Sequence, residues 1–169
     1  VNAMKTRGAD AIPALRAALP TPNRLLTERI TVICGTIRTP DSRRLLNELA
    51  AQPDLTIRGA ALRALRRFPN ETTDDVLFRV LLNDEIALAH RLLHGSLADP
   101  DLTTTLDYEL TVLLQRLFDV LTQLYDSETI AGARLGVGHP ARERRANALE
   151  LLDNLIPRAV YQTMQVLID

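Results

Sequence analysis

Apolar residues recur along this chain at spacings of three and four, not two. The clearest example runs from Ile57 to Leu65, where the apolar residues at positions 57, 61, 62 and 65 share one face of a helix. No segment alternates apolar and polar residues for long enough to predict a strand. The pattern therefore predicts an all-α protein.

The same helical segment recurs with a period near 29 residues. Arg29 and Ile33 stand one period before Arg58 and Leu62, and Arg145 stands three periods after Arg58. A repeat of this length is typical of helix pairs that bury their apolar faces by stacking on one another. The period therefore predicts an array of helix pairs.

Breaker and capping residues divide the chain into helices. Prolines and aspartates stand near the junctions, where proline cannot continue a helix and aspartate can accept hydrogen bonds from its first N–H groups. The prolines are Pro22, Pro40, Pro53, Pro69, Pro100, Pro140 and Pro157, and the aspartates are Asp41, Asp54, Asp84 and Asp101. The predicted helices span residues 9–19, 22–37, 40–51, 54–68, 72–82, 84–97, 101–126, 140–156 and 157–168.

The segment from Asp54 to Leu65, written D-x-x-x-R-x-x-A-L-x-x-L, resembles the second helix of a HEAT repeat. In that family an Asp in the turn and an Arg in the second helix form a ladder along the stack. Asp54 and Arg58 match both positions, whereas Arg29 and Arg145 match only the Arg. The unit that follows has Asp84 but no Arg at the second position, so the resemblance does not extend the ladder there.

The resemblance implies a right-handed α-α superhelix, a solenoid of about four HEAT-like helix pairs. It covers residues 9–98 and 140–168, and it is poor over 101–139. That insertion is predicted to contain one long helix followed by a glycine-containing loop at 131–140, whose glycines permit positive φ. We expect this loop to be mobile and to contact a partner through Arg134, His139 and Arg142.

Residues 144–155 are similar to a HEAT module attached to bacterial membrane proteins of the ATP/ADP-antiporter-like type. This resemblance implies a cytoplasmic regulatory or assembly domain of a larger protein. Residues 1–4 are interpreted as an expression scar and a start, and residues 5–169 as a single HEAT-like domain cut from a longer chain. The apolar stretch 102–124 carries four charged residues and is too polar to predict a membrane span.

Charge is distributed unevenly along the chain, although the net charge is only −1. Residues 1–70 carry 12 Lys/Arg and 5 Asp/Glu, a formal charge of +7, and residues 71–169 carry 8 and 16, a formal charge of −8. Arg63, Arg66 and Arg67 make the first part locally basic and are predicted to contact a partner. Nucleic acid is not expected as that partner, because there is no Trp and all three Tyr lie in the acidic part.

Few residues suggest catalysis or metal binding. His90 and His94 are four apart and share one helix face, but no third ligand is evident and Arg91 would oppose a cation. The single cysteine, Cys34, lies in an apolar segment and is interpreted as a core residue. We therefore expect no metal and no cofactor.

These observations favour a non-enzymatic protein–protein interaction or scaffold module in the cytoplasm. The competing hypothesis is a HEAT-like enzyme, either bilin lyase-like or DNA glycosylase-like. An acidic or histidine cluster beside aromatic residues on a concave surface would favour the enzyme. A groove that holds only arginine and aliphatic residues would favour the interaction module.

Overall fold

The computed structural model of the chain describes residues 8, 10–19, 23–98 and 103–168, and the described part is all-helical, with no strand. This confirms the predicted all-α class, whereas the superhelix stays a prediction. The chain divides into two compact units, Val1–Pro69 and Asn70–Asp169. The interpretation of residues 1–4 lies outside the described residues. The helices are α1 (Ile12–Ala18), α2 (Arg24–Ile37), α3 (Pro40–Ala50), α4 (Leu55–Leu65), α5 (Asp75–Ala98), α6 (Thr103–Leu124), α7 (Ser127–Val137), α8 (Arg142–Leu155) and α9 (Arg158–Ile168).

In the first unit, polar side chains cap the helices where the sequence predicts junctions. The Asn23 side chain accepts a hydrogen bond from the third residue of α2. Thr39 and Ser42 form a reciprocal capping box at α3, with Pro40 at its first position. Asp54 accepts from the backbone N–H groups of residues 56 and 57, at 2.9 and 3.1 Å. The junctions predicted at Pro40 and Asp54 are therefore confirmed.

Helices of the first unit pack on alternate neighbours as well as on adjacent ones. α3 contacts α1 and α4, and α2 contacts α3 and α4. At the α2–α4 contact, a Cβ added to Gly35 would lie 3.1 Å from Cβ of Ala64, so the two helices approach closely there. The fully buried core side chains are aliphatic or small: Ile30, Cys34, Leu45, Leu46, Leu49, Ala61, Leu62 and Leu65.

The second unit begins with a 3₁₀ turn, Thr72–Asp74, that leads into the 24-residue helix α5. The prediction of two helices at 72–82 and 84–97 is therefore wrong, because nothing interrupts the chain at Asp84. No Gly or Pro occurs between residues 75 and 94. Asp84 is an exposed mid-helix residue, not a cap, and the adjacent Glu85 is buried.

The predicted mobile glycine loop is also wrong, because residues 127–137 form α7. Asp126 starts this helix by accepting from the backbone N–H of Thr129 at 2.8 Å and from its hydroxyl at 2.6 Å, and these bonds lower the pKa of Asp126. No glycine among the described residues has positive φ. Gly136 instead serves packing, since a Cβ added there would lie 2.5 Å from Cβ of Ala148 in α8.

The interior of the second unit holds charged residues as well as aliphatic ones. α6 packs on α5 and α7, α8 packs on α7, and α9 returns to contact α5, α6 and α8. Between α5 and α6, Arg116 and Glu85 form an ion pair of 2.8 Å that is almost completely buried. Asp119 of α6, also buried, pairs at 2.8 Å with Arg134 of α7.

Candidate functional site

A groove of about 300 Å³ runs between α2 and α4 of the first unit. We call it the α2–α4 groove. The α2 wall contributes Glu28, Thr31 and Val32, and the α4 wall contributes small residues and two arginines. These residues are Ala60, Arg63 and Ala64 of α4, and Arg67 in the turn that follows α4.

The α2–α4 groove has a net positive lining. Arg63 and Arg67 are both exposed and lie one helical turn apart. The carboxylate on the opposite wall, Glu28, has its own counter-ion, because Arg24 Nε lies 3.7 Å from it. Arg24 also lies 3.5 Å from Asp54. Arg24 thus lies near both carboxylates, whereas Arg63 and Arg67 are exposed to solvent.

Beside the groove, α2 exposes large aliphatic side chains to solvent. Leu25, Val32 and Ile33 are 58%, 61% and 42% exposed, respectively. Arg29 is exposed on the same side of α2. Large aliphatic side chains concentrated on one exposed helix face are a mark of interaction surfaces. Of these exposed aliphatic residues, Val32 lines the α2–α4 groove, so the groove combines one exposed apolar side chain of α2 with two arginines on the other side.

The residues of the predicted ladder occupy four different environments. Asp54 caps α4 and pairs with Arg24, and Arg58 is buried in the first turn of that helix. Arg29 is exposed on α2, whereas Arg145 is exposed on α8 in the second unit. Sequence reasoning missed Arg24, although its position four residues before Glu28 indicates an ion pair within α2.

The remaining arginines of the first unit serve mainly structural purposes. Arg66 is exposed at the end of α4, but it does not line the groove. Arg43 is buried, donates a hydrogen bond to the carbonyl of Pro69 and has its guanidinium carbon 5.9 Å from the centre of the Phe68 ring. Arg44 pairs with Asp41 within α3.

A second hollow, of about 350 Å³, lies between α7 and α8. We call it the α7–α8 pocket. Small and aliphatic residues make up most of its lining, together with the polar side chains of His139, Arg144 and Asn147. The complete lining is Gly132, Ala133, Leu135, Gly136, His139, Arg144, Asn147, Ala148 and Leu151.

The structure does not bring Arg134, His139 and Arg142 together, although all three were predicted to contact a partner. Arg134 pairs with Asp119, and its guanidinium carbon lies 6.0 Å from the centre of the Phe118 ring. Arg142 lines a separate hollow of about 390 Å³ next to Arg145. His139 is joined instead by Arg144, whose Nη1 lies 3.3 Å from its Nε2.

Other residues considered for chemistry are held by packing contacts. The ring Nε2 of His90 lies 3.2 Å from the hydroxyl of Thr163 in α9, and His94 is exposed. The described part of the chain contains no cluster of three His, Cys, Asp or Glu residues that would hold a metal ion. Cys34 is completely buried, which raises the pKa of its thiol to about 11. Among the described helices, none combines the length and apolar content that a membrane crossing requires.

Comparisons with protein-family models, curated proteins and solved structures found no match to this chain.

Proposed function

We propose that the chain is a non-enzymatic, HEAT-like protein-interaction module. Its partner is an amphipathic segment with acidic residues, which the α2–α4 groove binds. The observation that carries this proposal is that the exposed arginines Arg63 and Arg67 line the same groove as the exposed Val32 of α2. An amphipathic helix that lies in a groove presents apolar anchors and charged residues at similar spacings.

The packing of the first unit supports the HEAT-like assignment. α3 contacts α1 while α2 contacts α4, so alternate helices are neighbours. Stacked helix pairs have this arrangement, because each pair buries its apolar face on the next. We further propose that the chain acts in the cytoplasm as a regulatory or assembly part of a larger protein, as the resemblance of residues 144–155 implies.

The lining of the α2–α4 groove favours binding over catalysis. One carboxylate, that of Glu28, contributes to the lining, and the neighbouring Arg24 compensates its charge. The groove lining contains no aromatic residue and no histidine. A glycosylase-like reaction would require an acid or base beside a stacking ring, and this lining provides a surface for an acidic partner instead.

Charge reversal tests the proposal. The double variant R63E/R67E should reduce recovery of bound partner from source cells by about tenfold, because two attractive contacts become repulsive. The matched control is R79E/R91E, which changes the net charge equally at two exposed positions on α5. Partners should be quantified by mass spectrometry after pull-down with each protein.

The control should retain the partners of the unaltered chain. Equal retention by R63E/R67E, or equal loss from both double variants, would contradict a specific role for the groove. A thermal unfolding curve for each variant confirms that loss of binding does not follow from loss of fold.

A further inference from the structure

The α7–α8 pocket contains an unusual contact between two hydrogen-bond donors. The backbone N–H of Ala141 donates to Nδ1 of His139 at 3.0 Å, so Nδ1 carries no proton and accepts through its lone pair. In a neutral imidazole the ring proton then resides on Nε2. Yet Nε2 lies 3.3 Å from Nη1 of Arg144, and a guanidinium can only donate. With this tautomer neither group accepts from the other, and their donors lie close enough for one ligand to accept from both.

We propose that the α7–α8 pocket binds a small organic carboxylate, with its carboxylate between His139 Nε2 and Arg144 Nη1. A planar carboxylate has two oxygens and can accept one hydrogen bond from each donor. Within the described residues, neither His139 nor Arg144 forms an ion pair with a carboxylate of the chain. The site is therefore complementary to a carboxylate supplied from outside.

The local charge supports an anionic ligand. Residues 139–145 contain three arginines and one glutamate, a formal charge of +2. α8 begins in this segment, and its N-cap residue, Ala141, provides no side-chain acceptor for the first-turn N–H groups. The positive end of the helix dipole thus adds to the attraction that His139 and Arg144 exert on the carboxylate.

The apolar residues of the pocket indicate the chemical nature of the rest of the ligand. Leu135 and Leu151 are 77% and 40% exposed and line the pocket with Gly136 and Ala148. A volume of about 350 Å³ is at the lower end of the range for small-molecule pockets. These apolar residues favour a ligand with a short hydrocarbon chain over inorganic phosphate, which has no apolar part to bury against them.

Titration of the ¹⁵N-labelled chain, followed by amide chemical shifts, tests the proposal with three probes. Hexanoate should produce saturable shifts at Gly132, Gly136 and Arg144. Hexanamide, which has the same chain without the charge, should bind about tenfold more weakly or not at all. Inorganic phosphate should also bind more weakly than hexanoate.

Two variants in the first turn of α8 separate this site from diffuse charge. R144Q should weaken hexanoate binding by about tenfold, and R144K should restore part of it. R142Q removes the same charge from a residue that lines a different hollow, so it should change binding less than about twofold. The proposal is overturned if R142Q and R144Q have equal effects, or if hexanamide or phosphate binds as well as hexanoate. Absence of saturable shifts with hexanoate would overturn it too.

Discussion

The α2–α4 groove and the α7–α8 pocket both lie at helix pairs that meet through a glycine–alanine contact. The contact is Gly35–Ala64 in the first case and Gly136–Ala148 in the second, with added-Cβ distances of 3.1 and 2.5 Å. In each case arginine stands at the rim of the neighbouring hollow. Small residues that allow close backbone approach thus occur beside both candidate binding sites.

The two sites differ in how their polar groups are arranged. Arg63 and Arg67 lie four residues apart, near the exposed aliphatic residues of α2. This linear arrangement suits an extended partner segment. The side chains of His139 and Arg144 approach within 3.3 Å of each other, next to apolar residues of the same pocket. This arrangement suits a small ligand with a single charged group. The two proposed sites, one for a macromolecule and one for a small anion, lie in different compact units.

The interiors of the two units differ as well. The largest completely buried side chains of the first unit are aliphatic, and the buried charged residues described there are two arginines, Arg43 and Arg58. The second unit buries the Glu85–Arg116 pair and the carboxylate of Asp119 among its apolar residues. A buried charge is tolerated only with its partner in place. Among the described residues, buried carboxylates occur in the second unit, so removal of their arginine partners should have a large effect there.

The largest expected effect is on the Glu85–Arg116 pair. Arg116→Met should lower the free energy of unfolding by about 3–5 kcal/mol, because it leaves Glu85 buried without this counter-ion. Arg79→Met, at an exposed position of α5, is the matched control and should change stability by less than about 0.5 kcal/mol. Urea denaturation followed by circular dichroism measures both. Similar stabilities for the two variants would contradict the structural role of this pair.

Three glycine-to-alanine substitutions sharpen the comparison of the helix contacts. Gly136→Ala should destabilise the chain by about 1–2 kcal/mol, because steric crowding against Ala148 exceeds the gain of about 1 kcal/mol in helix propensity. An alanine side chain at position 35 has more room, so its steric cost and the gain in helix propensity should nearly cancel. Gly132→Ala meets no atom within 4 Å and should stabilise α7 by about 1 kcal/mol.

Thermal or urea unfolding ranks the three variants. The expected order of stability is Gly132→Ala, Gly35→Ala and then Gly136→Ala. If Gly136→Ala proved as stable as Gly132→Ala, the close approach of α7 to α8 would be refuted. The same result would remove the physical basis for the shape of the α7–α8 pocket.

Local sequence signals predicted the fold best where each helix end is encoded nearby. Pro40 and Asp54 mark helix starts by fixing φ and by capping, and both predictions are confirmed. The predictions of a break within α5 and of a loop in place of α7 were wrong, because contacts between helices determine the structure of both segments. Asp84 was predicted to cap a helix, but it lies in the middle of α5, before the buried Glu85. Gly136 was predicted to lie in a loop, but it permits the close contact between α7 and α8.

The candidate sites were predictable only in part for a related reason. Arg63 and Arg67 are one turn apart on a predicted helix, so their shared face follows from helical geometry. The pairing of His139 with Arg144 depends on the backbone turn between α7 and α8, which the sequence pattern does not specify. Arg134 was predicted to bind a partner, yet it pairs with Asp119, fifteen residues earlier on another helix. Contacts between helices, not the periodicity along them, decide these positions.

Site-specific photo-crosslinking in source cells tests the central claim most directly. A photoreactive benzoylphenylalanine at Val32, in the wall of the α2–α4 groove, should form a covalent adduct with a separate polypeptide. The same residue at Val76, which is 75% exposed on α5, should form little of this adduct. The R63E/R67E background should abolish the adduct at Val32, and its peptide should be acidic and amphipathic. Equal adducts at Val32 and Val76, or none at Val32, would contradict the account.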